Sequence, residues 1–113
     1  HCDGWGLAFY QGKFAQVYRD EKPAAYSEWM EFLLNHEYHS NCVISHIRKA
    51  TQGDVCLQNT QPFTRESGGV RHVFAHNGNL QEFKESCVFN SFEPIGDTDS
   101  EYAFCTLMDS IQL

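Results

Sequence analysis

Three short segments of this chain carry side chains that together can perform acyl-transfer chemistry. They are His46-Ile47-Arg48-Lys49-Ala50-Thr51, Ala75-His76-Asn77-Gly78-Asn79 and Gly96-Asp97-Thr98-Asp99-Ser100-Glu101. Arg48 supplies a guanidinium whose planar fork matches a carboxylate. Asp99 supplies a carboxylate that can face an ammonium group. Asn77 and Gly78 supply a side-chain amide and a flexible backbone N–H, a donor pair that can hold an oxyanion. A free amino acid offers its α-carboxylate and α-ammonium to the first two, leaving its side-chain carbonyl for the third. The set fits acyl transfer on an amino acid such as glutamine.

Each segment taken alone has a plainer reading. Asn-Gly is a common signature of a tight hairpin turn, because both residues tolerate positive φ. Thr98-x-x-Glu101 is a capping box, in which the Thr98 hydroxyl meets the Glu101 N–H and Glu101 reaches back. Asp99 is then only a favourable charge in a first helical turn. An arginine at a strand end is commonly a surface ion-pair partner. The three segments together favour ligand binding, and for Asn77 the turn and the oxyanion role are compatible.

In this order the segments resemble the class II glutamine amidotransferases, a branch of the N-terminal-nucleophile hydrolases. The opening His1-Cys2-Asp3-Gly4-Trp5-Gly6 and the stretch Asn59-Thr60-Gln61-Pro62-Phe63 fit the same family. The likeness is closest to its stand-alone members, bacterial amidotransferase-like proteins and the γ-glutamyl hydrolase of ergothioneine biosynthesis, and it runs from His1 to about Glu101. It implies an α+β fold, the four-layer αββα sandwich of those hydrolases, here in part, with residues 1–113 as part of one amidotransferase domain. It implies glutamine or a related γ-glutamyl amide as substrate, and a partner subunit as a candidate receiver of ammonia. It also implies Asn77 and Gly78 as catalytic oxyanion donors and Arg48, Thr51 and Asp99 as substrate-binding residues. No cofactor is implied. One departure stands at Gln61, where many relatives carry histidine; Gln donates and accepts hydrogen bonds but cannot carry an imidazolium charge.

The family's nucleophile is a cysteine at the extreme N-terminus of the mature protein, with its own α-amine as base. Cys2 does not fit that role: the free amine belongs to His1, and Cys2 occupies the variable position of the His-x-Asp-Gly-Trp-Gly pattern. A thiolate needs a positioned base or a positive neighbour. The expectation is an N-terminally truncated fragment, inactive as it stands, whose nucleophile lies in a preceding segment. A glutamine-binding sensor or partner subunit without a nucleophile is the alternative.

The elements that must position these residues are legible in outline. Leu7–Tyr10 and Phe14–Tyr18 read as a hairpin around Gln11-Gly12-Lys13, and Arg19–Ala25 as a loop. A helix follows, with Ser27 as N-cap and Trp29, Phe32, Leu33 and His36 on one face. Cys42–Ile47 reads as a strand delivering Arg48, Gln52–Glu66 as a long polar connection, and Val70–His76 as a strand ending at Asn77. Phe104, Leu107, Met108 and Ile111 form an apolar stripe of a last helix. His46 and His76 read as core or supporting histidines.

Composition narrows the class further. The chain has 113 residues, 42% hydrophobic and 20% charged, within the range of one domain. A net charge of -7 argues against a nucleic-acid partner. No apolar run approaches the roughly 18 to 20 residues that span a bilayer, so no membrane partner is expected. The odd set of five cysteines holds no Cys-x-x-Cys pair, and His36-Glu37-x-His39 lacks metalloprotease spacing, so no metal site is expected. Most cysteines read as small buried hydrophobes in a reducing, cytoplasmic compartment.

Overall fold

The computed structural model describes residues 1–37 and 39–111. β1 (Trp5–Gln11) and β2 (Phe14–Asp20) form the expected antiparallel hairpin, closed at Gly12 with φ 65°. β2 runs on through Arg19 and Asp20, which the charged sequence had assigned to a loop. β3 (Val43–Ile47) pairs antiparallel with the other side of β1, giving the order β2-β1-β3. Gly6 lies opposite His46 and Trp5 opposite Ile47, so Arg48 leaves the sheet level with Gly4. Its backbone N–H donates to the Gly4 carbonyl at 2.9 Å.

A second antiparallel hairpin, β4 (Phe63–Ser67) and β5 (Val70–Phe74), lies inside and beyond the stretch read as a long connection. Its turn is Gly68-Gly69, with φ of 62° and 73°. Two successive positive φ values are the signature of the type I′ turn that matches strand twist. The two sheets are tied through Arg71: its N–H donates to the Lys13 carbonyl at 3.0 Å, and Tyr10 Oη donates to its carbonyl at 2.6 Å.

α1 (Glu28–Leu34) starts as expected, with Ser27 Oγ accepting from the Met30 N–H at 3.2 Å. Its apolar face is not buried as one stripe. Leu33 is 4% exposed, whereas Trp29 and Phe32 are 57% and 48% exposed and meet edge to face, and His36 lies past the helix end. α2 (Phe83–Ser86) is a single turn. α3 (Asp99–Ile111) buries Phe104 and Met108 against Phe63, and Phe74 stacks on Phe104 with centroids 5.2 Å apart. Leu107 and Ile111 of the same stripe remain about half exposed. Because Phe74 at the end of β5 packs on the first half of α3, the core itself brings Asn77 near Asp99. The architecture is the α+β class with antiparallel sheets read from the sequence. Among the described residues no helix is long and apolar enough to cross a membrane.

Asp109 on α3 clamps the preceding loop. Its carboxylate accepts from the N–H groups of Asn90 (2.8 Å), Ser91 (2.8 Å) and Phe92 (3.1 Å). These bonds, the one from Asn90 foremost, hold its carboxyl below the usual range. A depressed folded value means stability present above the unfolded value and lost as pH falls through the folded one. Asp109→Asn should therefore melt lower than the native protein at neutral pH, and the gap should close as pH drops below the ordinary value of 3.8. Thermal melts across that acid range would check this; a gap independent of pH would show that the charge is not involved.

Candidate active site

The segments carrying Arg48 and Thr51, Asn77 and Gly78, and Asp99 converge on one cavity of about 340 Å³, and all five residues line it. Three backbone sources deliver them: the end of β3, the end of β5 and the first turn of α3. Arg48 is 4% exposed. Its Nη1 donates to the Asp54 carbonyl at 2.8 Å, and its Nη2 to those of Gln52 (2.9 Å) and Gly53 (3.3 Å). The guanidinium therefore holds the 52–54 loop rather than an ion-pair partner. Three of its five hydrogens are used, leaving Nε–H and one Nη1 hydrogen with no protein acceptor among the described residues.

Asp99 is also 4% exposed. Its Oδ2 accepts from the Leu80 N–H at 2.6 Å and from Gln52 Nε2 at 3.3 Å, while Oδ1 has no protein donor among the described residues. The capping box before it is half formed. Thr98 Oγ1 accepts from the Glu101 N–H at 3.3 Å, but the Glu101 carboxylate accepts from the N–H groups of Ile95 and Gly96 instead of reaching back to Thr98. Thr51 is exposed at the cavity mouth and donates from Oγ1 to Asn79 Oδ1 at 2.6 Å, joining the 48–54 loop to the segment after β5.

Asn77-Gly78 is not a hairpin. Among the described residues no strand returns after it, and of the two only Gly78 has positive φ, at 132°. A type I′ turn needs both central residues there, so the plain reading of this dipeptide fails. The segment is instead a bend that leaves both residues exposed on the cavity.

Three further cavity residues were not among the expected site residues: His46 and His76, read as core or supporting histidines, and Gln61, noted as a departure from the family histidine. Burial pushes the His46 imidazole below its usual range, outweighing the opposing contributions of the His76 backbone and the Asn77 side chain. Burial thus favours the neutral form of the ring. His76 Nδ1 pairs with Ser100 Oγ at 3.0 Å, and the His76 N–H donates to Gln61 Oε1 at 2.6 Å. Polar character beside the motifs is the only signal for the two histidines, whereas Gln61 is marked by its place in the Asn59-Thr60-Gln61-Pro62-Phe63 stretch.

None of the five cysteines lines the cavity. Cys2 is exposed, with Sγ 3.8 Å from Asp3 Oδ1. The expectation that most cysteines are buried fails: Cys105 alone is, and burial pushes its thiol up, away from reactivity. Cys42 lies just before the edge strand β3, and Cys56 and Cys87 are half-buried in connecting segments. Among the described residues no group of three His, Cys, Asp or Glu could hold a metal ion.

The chain is similar to several known proteins. A glutamine amidotransferase candidate of Escherichia coli (strain K12), YafJ, is 42% identical over 111 residues, which is 98% of this chain and 43% of that protein. A second candidate, from Haemophilus influenzae, is 43% identical over 112 residues, 99% of this chain and 38% of its own length. The 2.0 Å crystal structure of a predicted glutamine amidotransferase from Pseudomonas aeruginosa PA01 matches with a TM-score of 0.67 at 41% identity. That match covers 93% of this chain and 41% of the other. The chain thus spans less than half the length of these relatives. The sequence pattern of the family described as glutamine amidotransferases class-II matches residues 1–113 from end to end. By sequence and by fold, the chain belongs to the class II glutamine amidotransferases.

Proposed function

We propose that residues 1–113 form part of an amidotransferase domain whose cavity binds glutamine, or a related γ-glutamyl amide, for hydrolysis of its side-chain amide. The observation that carries this reading is the convergence of Arg48, Asp99 and Asn77-Gly78 from distant parts of the chain on one cavity. The two unused hydrogens of Arg48 receive the α-carboxylate, and the unused Oδ1 of Asp99 receives the α-ammonium. Thr51 closes the mouth. The side-chain carbonyl then lies toward Asn77 and Gly78. A cysteine thiolate attacks its carbon, and the Asn77 amide and Gly78 N–H hold the oxyanion that forms. The C–N bond breaks and ammonia leaves with a proton. Water cleaves the resulting thioester to glutamate and the free thiol.

The attacking thiol has to come from outside the cavity wall described above, which holds no cysteine. The same observation favours a second reading, in which the cavity binds glutamine as a sensor or partner subunit and performs no chemistry. Incubating the full-length protein with L-glutamine separates the two. Glutamate and ammonia released in equal amounts support the hydrolase, whereas saturable binding without release supports the sensor. No binding would overturn both.

Asp99→Asn should weaken glutamine binding more than it damages folding. Asn keeps an oxygen that can accept from the Leu80 N–H but lacks the charge facing the ammonium group. The loss of one charge-assisted bond costs about 1.5 to 3 kcal/mol, roughly a 10- to 150-fold rise in Kd. Calorimetric titration and a thermal melt of the same variant would check it. A lowered melt with unchanged affinity would reduce Asp99 to a helix residue.

A further inference from the structure

Gln61 is 7% exposed, yet it lines the cavity. The two ends of a glutamine amide are normally hard to tell apart. Here the geometry distinguishes them, because the atom 2.6 Å from the His76 N–H must be an acceptor and is therefore Oε1. The Nε2 end, with two hydrogens, has no protein acceptor among the described residues. Nor is it sealed in the interior: the shielded, unpartnered polar atoms among the described residues are Trp5 Nε1, His46 Nδ1 and His72 Nδ1. Nε2 is therefore a donor presented to the cavity.

Its position is held from two further sides. The Gln61 carbonyl and the Pro62 ring press so closely on Gly6 of β1 that a single methyl group there would collide with both. β4 begins directly afterwards, at the fully buried Phe63. The backbone under Gln61 cannot shift without disturbing both sheets, and the Oε1 bond fixes the amide's rotation. Such a donor needs no reorganisation when a substrate arrives. His76 immediately precedes Asn77, so the bond from the His76 N–H ties the amide to the segment that carries the Asn77-Gly78 donors. A neutral donor there suits a carbonyl oxygen better than the carboxylate that Arg48 can receive.

We propose that Gln61 contacts the substrate directly, donating from Nε2 to the side-chain carbonyl oxygen alongside Asn77 and Gly78. This inference rests on reading the cavity as a glutamine site and adds a third donor to it. The bond persists as the carbonyl becomes an oxyanion, so Gln61 contributes to both binding and turnover.

The test uses the methyl-ketone analogue of glutamine, which keeps the side-chain carbonyl and has no amine to lose. In the full-length protein the Gln61 side-chain NH₂ resonances, assigned through the backbone, should move as the analogue saturates the site. Gln61→Glu retains an acceptor for the His76 N–H but puts a carboxylate at a largely buried position, so a thermal melt first establishes that it is folded. It replaces the donor with a negative charge, and Kd for the analogue should rise about tenfold or more. Resonances that stay fixed at saturation, or an unchanged Kd in a folded Gln61→Glu, would overturn the assignment. A native protein that does not bind the analogue or glutamine at all would instead overturn the glutamine reading, and this inference with it. The resonance measurement needs no variant, so a Gln61→Glu protein that misfolds still leaves the proposal decidable.

Discussion

Glu101→Ala should cost about 3 to 5 kcal/mol of folding stability, the effect of removing one partner from a buried ion pair. Glu101 is 1% exposed and accepts three hydrogen bonds: from Arg65 Nη2 at 2.6 Å, and from the N–H groups of Ile95 and Gly96 at 2.8 Å each. Alanine leaves a largely buried guanidinium without its carboxylate and two loop N–H groups without acceptors. The consequence reaches the cavity, because Ile95-Gly96 leads directly into Asp97-Thr98-Asp99. Denaturant titration should show a lower midpoint, and glutamine affinity should fall as well, since the anchored approach to Asp99 is lost. Pairing the change with Arg65→Met should recover part of the stability. It should not recover all, because the two backbone donors remain unsatisfied. A single variant within about 1 kcal/mol of native would mean that water replaces all three bonds, and that the 95–98 segment is held by other contacts.

Glu101 also shows where the sequence was legible and where it was not. The Thr98-x-x-Glu101 spacing correctly marks the start of α3, yet the Glu101 carboxylate turns away to Arg65, 36 positions earlier. Local spacing predicts local bonds; it carries no signal for a partner brought in by the β4–α3 packing. The same limit hid β4. Thr64-Arg65-Glu66-Ser67 is as polar as a loop, because its arginine is spent on that buried pair. The Gly68-Gly69 dipeptide was the available clue, a type I′ turn implying a strand on each side.

The cavity residues divide along a related line. Arg48, Asn77 and Asp99 were readable because a guanidinium, an amide beside glycine and a first-turn carboxylate each suggest a chemical partner. His46 and His76 were not, since imidazoles are as common in cores as in sites, and Gln61 was visible only as a departure from the family histidine. Only their mutual geometry separates them from packing. α1 failed for a different reason: its helical periodicity was correctly read, but periodicity does not say that a partner covers the face, and Trp29 and Phe32 remain exposed.

On the hydrolase reading proposed above, Asn77→Asp should lower kcat of the full-length protein on the order of 100- to 1000-fold while leaving KM for glutamine near its native value. In the proposed reaction the Asn77 amide hydrogens meet an oxygen whose negative charge develops only in the transition state, so their loss falls on kcat. Removing one oxyanion donor typically costs about 2.7 to 4 kcal/mol, and a carboxylate adds repulsion. The structure makes the experiment cleaner than the sequence alone would. Since Asn77 forms no hairpin turn and is exposed at the end of β5, its replacement by an isosteric residue should leave the fold nearly untouched. Gly78 retains the positive φ that shapes the bend. A thermal melt would establish that the variant is folded, and initial rates across glutamine concentrations would separate kcat from KM. A proportional rise in KM with kcat preserved would place Asn77 in ground-state binding, beside Arg48 and Asp99. A folded variant with near-native kcat would leave Gly78 and Gln61 as the donors facing the carbonyl and remove Asn77 from the reaction.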